Sequence, residues 1–148
     1  MSLFNITRVF CRLHVILFVM SILAMSSCER DGEWDAIELN RDHVSFSSEG
    51  GQSIVTILNY GGWWISGGYS IVVDDQPNPS DYINATSSEG ANGLSDTLDG
   101  GWYRALIPEK GRSNTVVIIV DPNEGAPRRT FIQMSVGNAF ARIDITQE

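Results

Sequence analysis

Acids, a histidine and a group of aromatic side chains are the residues of this 148-residue chain with chemistry to offer. Asp74 with Asp75, and Asp96 with Asp99, are the carboxylate pairs. Glycoside hydrolysis needs two acids held roughly 5–10 Å apart across a cleft. Adjacent acids on a strand point to opposite faces, and Asp96 and Asp99 lie in a glycine-rich stretch, so both pairs read as solvated turn residues. His43, beside Asp42, is the one acid–base candidate; its setting at the start of a strand reads as a surface position. Asp74, Asp75, Asn78 and Asp81 supply hard oxygens of the kind calcium takes. Their spacing fits no calcium loop, and Pro77 and Pro79 stiffen the segment. No glycine-flanked nucleophilic serine, phosphate loop or zinc-spaced ligand set occurs. The sequence therefore predicts no catalytic residue, no metal, no cofactor and no enzyme.

The aromatic side chains point elsewhere. Sugar rings present apolar C–H faces that stack on flat side chains, and Trp and Tyr offer large contact area at low entropy cost. Trp63 and Trp64 are adjacent, so on an extended chain they face opposite sides and one of them belongs to the core. The other, with Tyr60, Tyr69, Trp102 and Tyr103, is a candidate ligand platform; the alternative for each is core packing or cover by a loop. The candidate binding set is Trp63, Trp64, Tyr69, Trp102 and Tyr103.

Elements that position such residues begin after an N-terminal export signal. Arg8 and Arg12 precede an almost continuous apolar run from Leu13 to Met25, and Ser26-Ser27 leads into Cys28. The order positive, apolar, small, cysteine is that of a secretory signal peptide. A run of about a dozen residues is too short to cross a hydrocarbon core of roughly 30 Å. Met25-Ser26-Ser27-Cys28 resembles a lipobox, which implies cleavage before Cys28 and acylation of that residue. One chain anchors only marginally, each buried CH₂ contributing about 0.8 kcal/mol, so stable attachment takes several. Loss of residues 1–27 removes two arginines and no acids, leaving eight basic residues against 18 acidic ones, a net charge near -10. Such a surface repels nucleic acid and anionic lipid. Cys11 leaves with the signal, so the mature chain has no internal disulfide.

Residues 28–36 read as an acidic tether, extended and solvated, and 37–148 as one all-β domain. Short apolar or alternating runs are punctuated by turn residues throughout. Val44-Ser45-Phe46, Ser53 to Tyr60, Trp63 to Ile65, Tyr69 to Val73, Trp102 to Ile107 and Asn114 to Val120 are the predicted strands. Gly61-Gly62 and Gly67-Gly68 read as breaks. Val116 to Val120 is apolar at every position and reads as a strand buried between two layers. Asp74 to Gly101 is a long polar segment, either a functional loop or a hidden short hairpin. It contains the sequon Asn84-Ala85-Thr86, incidental in a bacterial lipoprotein.

The last hairpin is specified most tightly. A two-residue turn at Gly137-Asn138 sets Val136 opposite Ala139, Met134 opposite Ala141, Ile132 opposite Ile143 and Thr130 opposite Ile145. Those residues form one apolar face. Ser135 with Phe140, Gln133 with Arg142 and Phe131 with Asp144 form the other, and a one-residue slip would destroy the separation. Phe131 and Phe140 on that polar face either mark a partner surface or lie beneath a neighbouring strand or loop. The whole reads as an antiparallel sandwich of seven or eight strands.

Several pieces in order resemble the BACON domain, an immunoglobulin-like sandwich of Bacteroidetes secreted proteins. They are Val44-Ser45-Phe46, Glu49-Gly50-Gly51, Val55-Thr56-Ile57, Asn59 before Trp63-Trp64-Ile65, and Ile107-Pro108-Glu109-Lys110-Gly111. Asp121-Pro122-Asn123-Glu124-Gly125 before Arg128-Arg129-Thr130, and the closing Ile143-Asp144-Ile145-Thr146-Gln147, complete the pattern. The segment from Ser66 to Gly101 is longer than that pattern needs. The acidic stretch after Cys28 also resembles the surface-export signal of Bacteroidetes lipoproteins. The resemblances imply an outer-membrane lipoprotein, held to the membrane by its acyl anchor, acting as a carbohydrate-binding or accessory module without catalytic residues. The alternative is a structural spacer or a protein-interaction subunit of a surface complex.

Overall fold

A computed structural model describes residues 34–87, 93–111 and 113–148, apart from the side chains of residues 110 and 111. The signal peptide, Cys28 and the first part of the tether lie outside the described residues. From Trp34 on, the chain is an all-β sandwich of two packed sheets with an appended hairpin.

The larger sheet has five strands. Its centre is the hairpin of β10 (Arg128–Val136) and β11 (Ala139–Gln147). The register is the one the apolar pattern requires, from Thr130 opposite Ile145 to Val136 opposite Ala139. Gly137 takes φ 54° at the turn, where a side chain would be strained. The strand β1 (His43–Phe46) runs parallel to β11 on one side. On the other side β10 pairs with β3 (Trp64–Tyr69), which pairs with β6 (Tyr82–Asn84).

The smaller sheet runs β2 (Gly51–Thr56), β9 (Thr115–Val120), β8 (Tyr103–Leu106) and β7 (Thr97–Asp99). Here β9 is central within its sheet but is covered on one face only. Val116, Ile118 and Val120 are buried, while Val117 and Ile119 are half-buried on the outer face. The core between the sheets is filled by Val55, Ile57, Ile65, Leu98, Ile118, Ile132, Met134, Ile143 and Ile145, each essentially inaccessible. Burying such side chains contributes about 1.5–3 kcal/mol apiece, enough to fold a chain without disulfides.

Several details differ from expectation. Gly67-Gly68 does not break the chain; β3 continues through both to Tyr69. A Cβ on Gly67 would lie 2.1 Å from the Tyr82 hydroxyl, and one on Gly68 would lie 2.7 Å from Leu98 and 2.8 Å from the Tyr103 hydroxyl. The glycines are spaces for neighbours, not punctuation. Of the two readings open for the polar segment after Val73, the hidden short hairpin is the one the structure contains. Val72–Val73 (β4) and Gln76–Pro77 (β5) form a hairpin whose turn residues Asp74 and Asp75 take φ 52° and 60°. A short 3-10 turn over Pro79–Asp81 then feeds β6. Thr86 bridges to Thr97, carrying the chain from the edge of one sheet to the edge of the other. With β6 and β7 added, the two layers hold nine strands among the described residues, more than the seven or eight expected.

The described end of the tether is exposed and hydrogen-bonded to the sandwich. Trp34 N–H donates to Asn138 Oδ1, the Tyr60 hydroxyl donates to Asp35 O, and Asn59 binds Ala36 O and Glu38 N–H.

Candidate functional site

The tryptophans and tyrosines singled out in the sequence do not assemble into one platform. Trp63 is 2% exposed and its indole N–H donates to Ser113 O at 3.1 Å. Tyr103 is 1% exposed, its hydroxyl donating to Tyr69 O at 2.7 Å. Both fill the core between the sheets, where no ligand reaches them. Trp102 is half-buried, its N–H is used by Ser70 O, and the Arg128 guanidinium lies 4.3 Å from its ring centroid. Both the face and the polar edge of that indole are occupied. Trp64 is half-buried opposite Ser135 on the outer face of the five-stranded sheet. Tyr69 lies on the same face, half-buried between Tyr82 (centroids 5.4 Å apart) and Phe131 (4.8 Å). Of the five, Trp64 and Tyr69 are at the surface that matters.

The acids are used locally. Asp74 and Asp75 make the hairpin turn, Asn78 Oδ1 caps the 3-10 turn by accepting from Ser80 N–H at 3.1 Å, and Asp99 accepts from Gly101 N–H. Asp96 is buried, accepting from the Thr97 hydroxyl. Among the described residues no group of three or more His, Cys, Asp or Glu is placed to hold a metal ion.

What the fold does assemble is a cleft of about 240 Å³ on the outer face of the five-stranded sheet. Its rim and floor include His43, Asp75, Arg129, Phe131, Arg142 and Asp144. Three separate parts of the chain meet there. The β10–β11 hairpin projects Arg129, Phe131, Arg142, Asp144 and Thr146 outward at alternate positions. The parallel pairing of β1 places His43 against Asp144 and Ser45 against Thr146. The β4–β5 hairpin overhangs from the far side, fastened by Arg129 to the Asp75 carboxylate and to Val72 O.

Charge in the cleft is balanced in pairs. Arg129 Nη1 lies 2.5 Å from Asp75 Oδ1, and Arg142 Nη2 lies 3.0 Å from Asp144 Oδ1. The Arg142 guanidinium also lies 4.8 Å from the Phe131 ring centroid. His43 Nε2 hydrogen-bonds the Ser45 hydroxyl at 2.9 Å and the Thr146 hydroxyl at 3.2 Å. A second hollow adjoins the cleft, lined by Phe131, Gln133, Phe140 and Arg142, with Phe140 60% exposed. The arrangement is an aromatic floor ringed by planar and hydroxylic hydrogen-bonding groups with little net charge. The hairpin register, readable in the sequence, already put Phe131, Phe140, Arg142 and Asp144 on one face. Arg129 extends the same outward face by the hairpin's alternation, while the contributions of His43 and Asp75 depend on non-local pairing that no local pattern encodes.

No family model matches the chain, and no curated protein matches it. Among solved structures it is similar to the NMR structure of a protein from Bacteroides thetaiotaomicron, at 24% sequence identity over 81% of this chain and 92% of that one, with a TM-score of 0.56. At that identity the likeness shows the fold, a β-sandwich of the same kind.

Proposed function

We propose that the protein is a non-catalytic, lipid-anchored binding module of the outer membrane or cell surface, and that the cleft over Phe131 takes carbohydrate. The observation that carries this reading is a cleft ringed by paired charges and hydroxyls over half-buried Phe131, with Phe140 60% exposed in the adjoining hollow. A sugar ring can stack its C–H face on an exposed ring such as Phe140 while its hydroxyls exchange hydrogen bonds with the rim. At about 240 Å³ the cleft is smaller than the roughly 300 Å³ at which drug-sized pockets begin. It suits a single ring of an open-ended glycan. The lipobox-like Met25-Ser26-Ser27-Cys28 supports the anchor. The ordered resemblance to the BACON domain supports a Bacteroidetes accessory role. In favour of binding over catalysis, His43 is hydrogen-bonded to two hydroxyls and not to the carboxylate that commonly orients a general base.

Retention of the purified protein on gels carrying host and plant polysaccharides tests the reading. One or more of them should retard it. Phe131→Ala and Arg142→Ala should each weaken retention about tenfold, since an aromatic stacking contact contributes roughly 0.5–1.5 kcal/mol and its burial adds to that. Indifference to every polysaccharide, or full retention by both folded variants, would remove the support. The rival reading, a docking subunit of a surface complex, is favoured by a different face. Ile54 is 45% exposed on the outside of the four-stranded sheet, beside half-buried Leu106, Val117 and Ile119.

A further inference from the structure

The sandwich has two ends, and the chain fixes which one is nearer the anchor. Trp34 lies against the β10–β11 turn, where a Cβ on Gly137 would meet its ring at 2.2 Å, and its ring centroid is 6.0 Å from that of Tyr60. Six peptide steps separate Trp34 from Cys28. Fully extended they span about 20 Å, whereas the nine residues of β10 extend about 30 Å to the opposite end. An acyl chain on Cys28 therefore holds the turn end of the sandwich close to the lipid, while the cleft over Phe131 sits further along the strands.

That same end carries large apolar side chains that stay about half or more exposed. Trp34 is 50% exposed, Leu58 60% and Phe140 60%. We propose that this end, led by Trp34, Leu58 and Phe140, rests on the surface of the membrane to which the chain is anchored. The proposal depends on the acylation of Cys28 that the functional reading also assumes. Indole and phenyl rings favour the interfacial layer of a bilayer, and shallow burial of apolar side chains adds to the acyl chains in holding the domain down. The exposed acids Asp35 and Glu38 at this end select for lipid without net negative charge.

The test uses the acylated protein reconstituted in phosphatidylcholine vesicles with brominated acyl chains. Leu58→Cys and Phe140→Cys variants carry a fluorescent label, and Val73→Cys, on the hairpin beyond the cleft and 59% exposed, is the reference. With Cys11 removed and Cys28 acylated, the introduced cysteine is the only thiol to label. Quenching several-fold stronger at positions 58 and 140 than at 73 is expected, and it should fall when phosphatidylglycerol replaces part of the phosphatidylcholine. Mass spectrometry of the same preparation separates the failures. An unmodified Cys28 would overturn the anchor and this inference together. An acylated Cys28 with equal quenching at all three positions would overturn the inference alone, whether a second copy, another protein or water covers that end.

Discussion

Tyr103 shows how a single side chain ties the two sheets together. It stands on β8, yet its hydroxyl donates to Tyr69 O in the opposite sheet, an oxygen that also accepts from the Thr130 hydroxyl. Burial pushes its pKa from 10.0 up to about 12; the polar contacts with the Thr130 side chain and the Tyr69 backbone offset part of this and the charge of Asp99 adds to it. The folded state thus favours the un-ionised phenol. The associated stability is fully present below pH 10 and is lost as pH rises through about 12. Two pKa units correspond to about 3 kcal/mol. Urea unfolding should show the wild-type protein losing about 2 kcal/mol more stability than Tyr103→Phe between pH 9 and pH 12, the rest falling above pH 12. At pH 9 the variant should be about 1 kcal/mol less stable, the net value of one hydrogen bond. Parallel losses for the two proteins across that range would mean the phenol does not titrate as its burial requires. A platform role for this residue, suggested by its type alone, fails for the same reason: the hydroxyl is spent inside.

Glycine spacing on β3 decides how the edge of the larger sheet is built. Gly68 faces the core, and a methyl there would sit 2.7 Å from Leu98, 2.8 Å from the Tyr103 hydroxyl and 2.9 Å from Phe131 O. Two of those neighbours are inaccessible core side chains and the third is backbone, so none yields cheaply. Gly68→Ala should cost about 1–3 kcal/mol by overpacking. Gly61→Ala, with open space around its Cβ position, should be neutral or slightly stabilising. Thermal unfolding of the two variants checks the contrast; equal shifts would discredit the close-packing account. From sequence, Gly61-Gly62 and Gly67-Gly68 look alike, because composition does not say what stands opposite. The β10–β11 hairpin was legible to the residue, since its register follows from a two-residue turn and a period of two. The strands β6 and β7 were not, because three-residue edge strands hold their place through non-local ladders and carry no period of their own. The motif residues also acquire a physical meaning. Buried Gln147 accepts from Arg128 Nε and donates to Ser47 O and Asp121 O, while Asn123 Nδ2 donates to Ala126 O and Glu148 O. The asparagine turn, the arginine strand and the glutamine ending thus interlock to close one end of the sandwich, which is structural work rather than ligand recognition.

At the scale of the molecule, the first described residues belong to both sheets in turn. Leu39 bridges to Ile57, Asn40 N–H donates to Thr56 O, and Leu58 N–H donates to Glu38 O, so this segment lies along the edge of the four-stranded sheet. Three residues later the chain has crossed over and pairs with β11 as β1. A strand that changes sheets covers an edge on both layers, as the Thr86–Thr97 bridge does on the other side. Each such crossing covers part of an edge of the kind that recruits other chains. This arrangement predicts where the domain begins. A chain starting at Asp42 loses buried Ile37, worth about 1.5–3 kcal/mol. It also loses the hydrogen bonds of residues 38–40 to residues 56–59, at about 1 kcal/mol each. The sum, about 6 kcal/mol, matches the whole stability of many domains, so the truncated chain should be largely unfolded at ambient temperature. A chain starting at Trp34 should unfold at the same urea midpoint as the full mature protein. Far-UV circular dichroism and urea titration of both truncations decide the matter. A cooperative, fully folded domain beginning at Asp42 would mean that the crossing segment decorates the sandwich and does not hold its two layers in place.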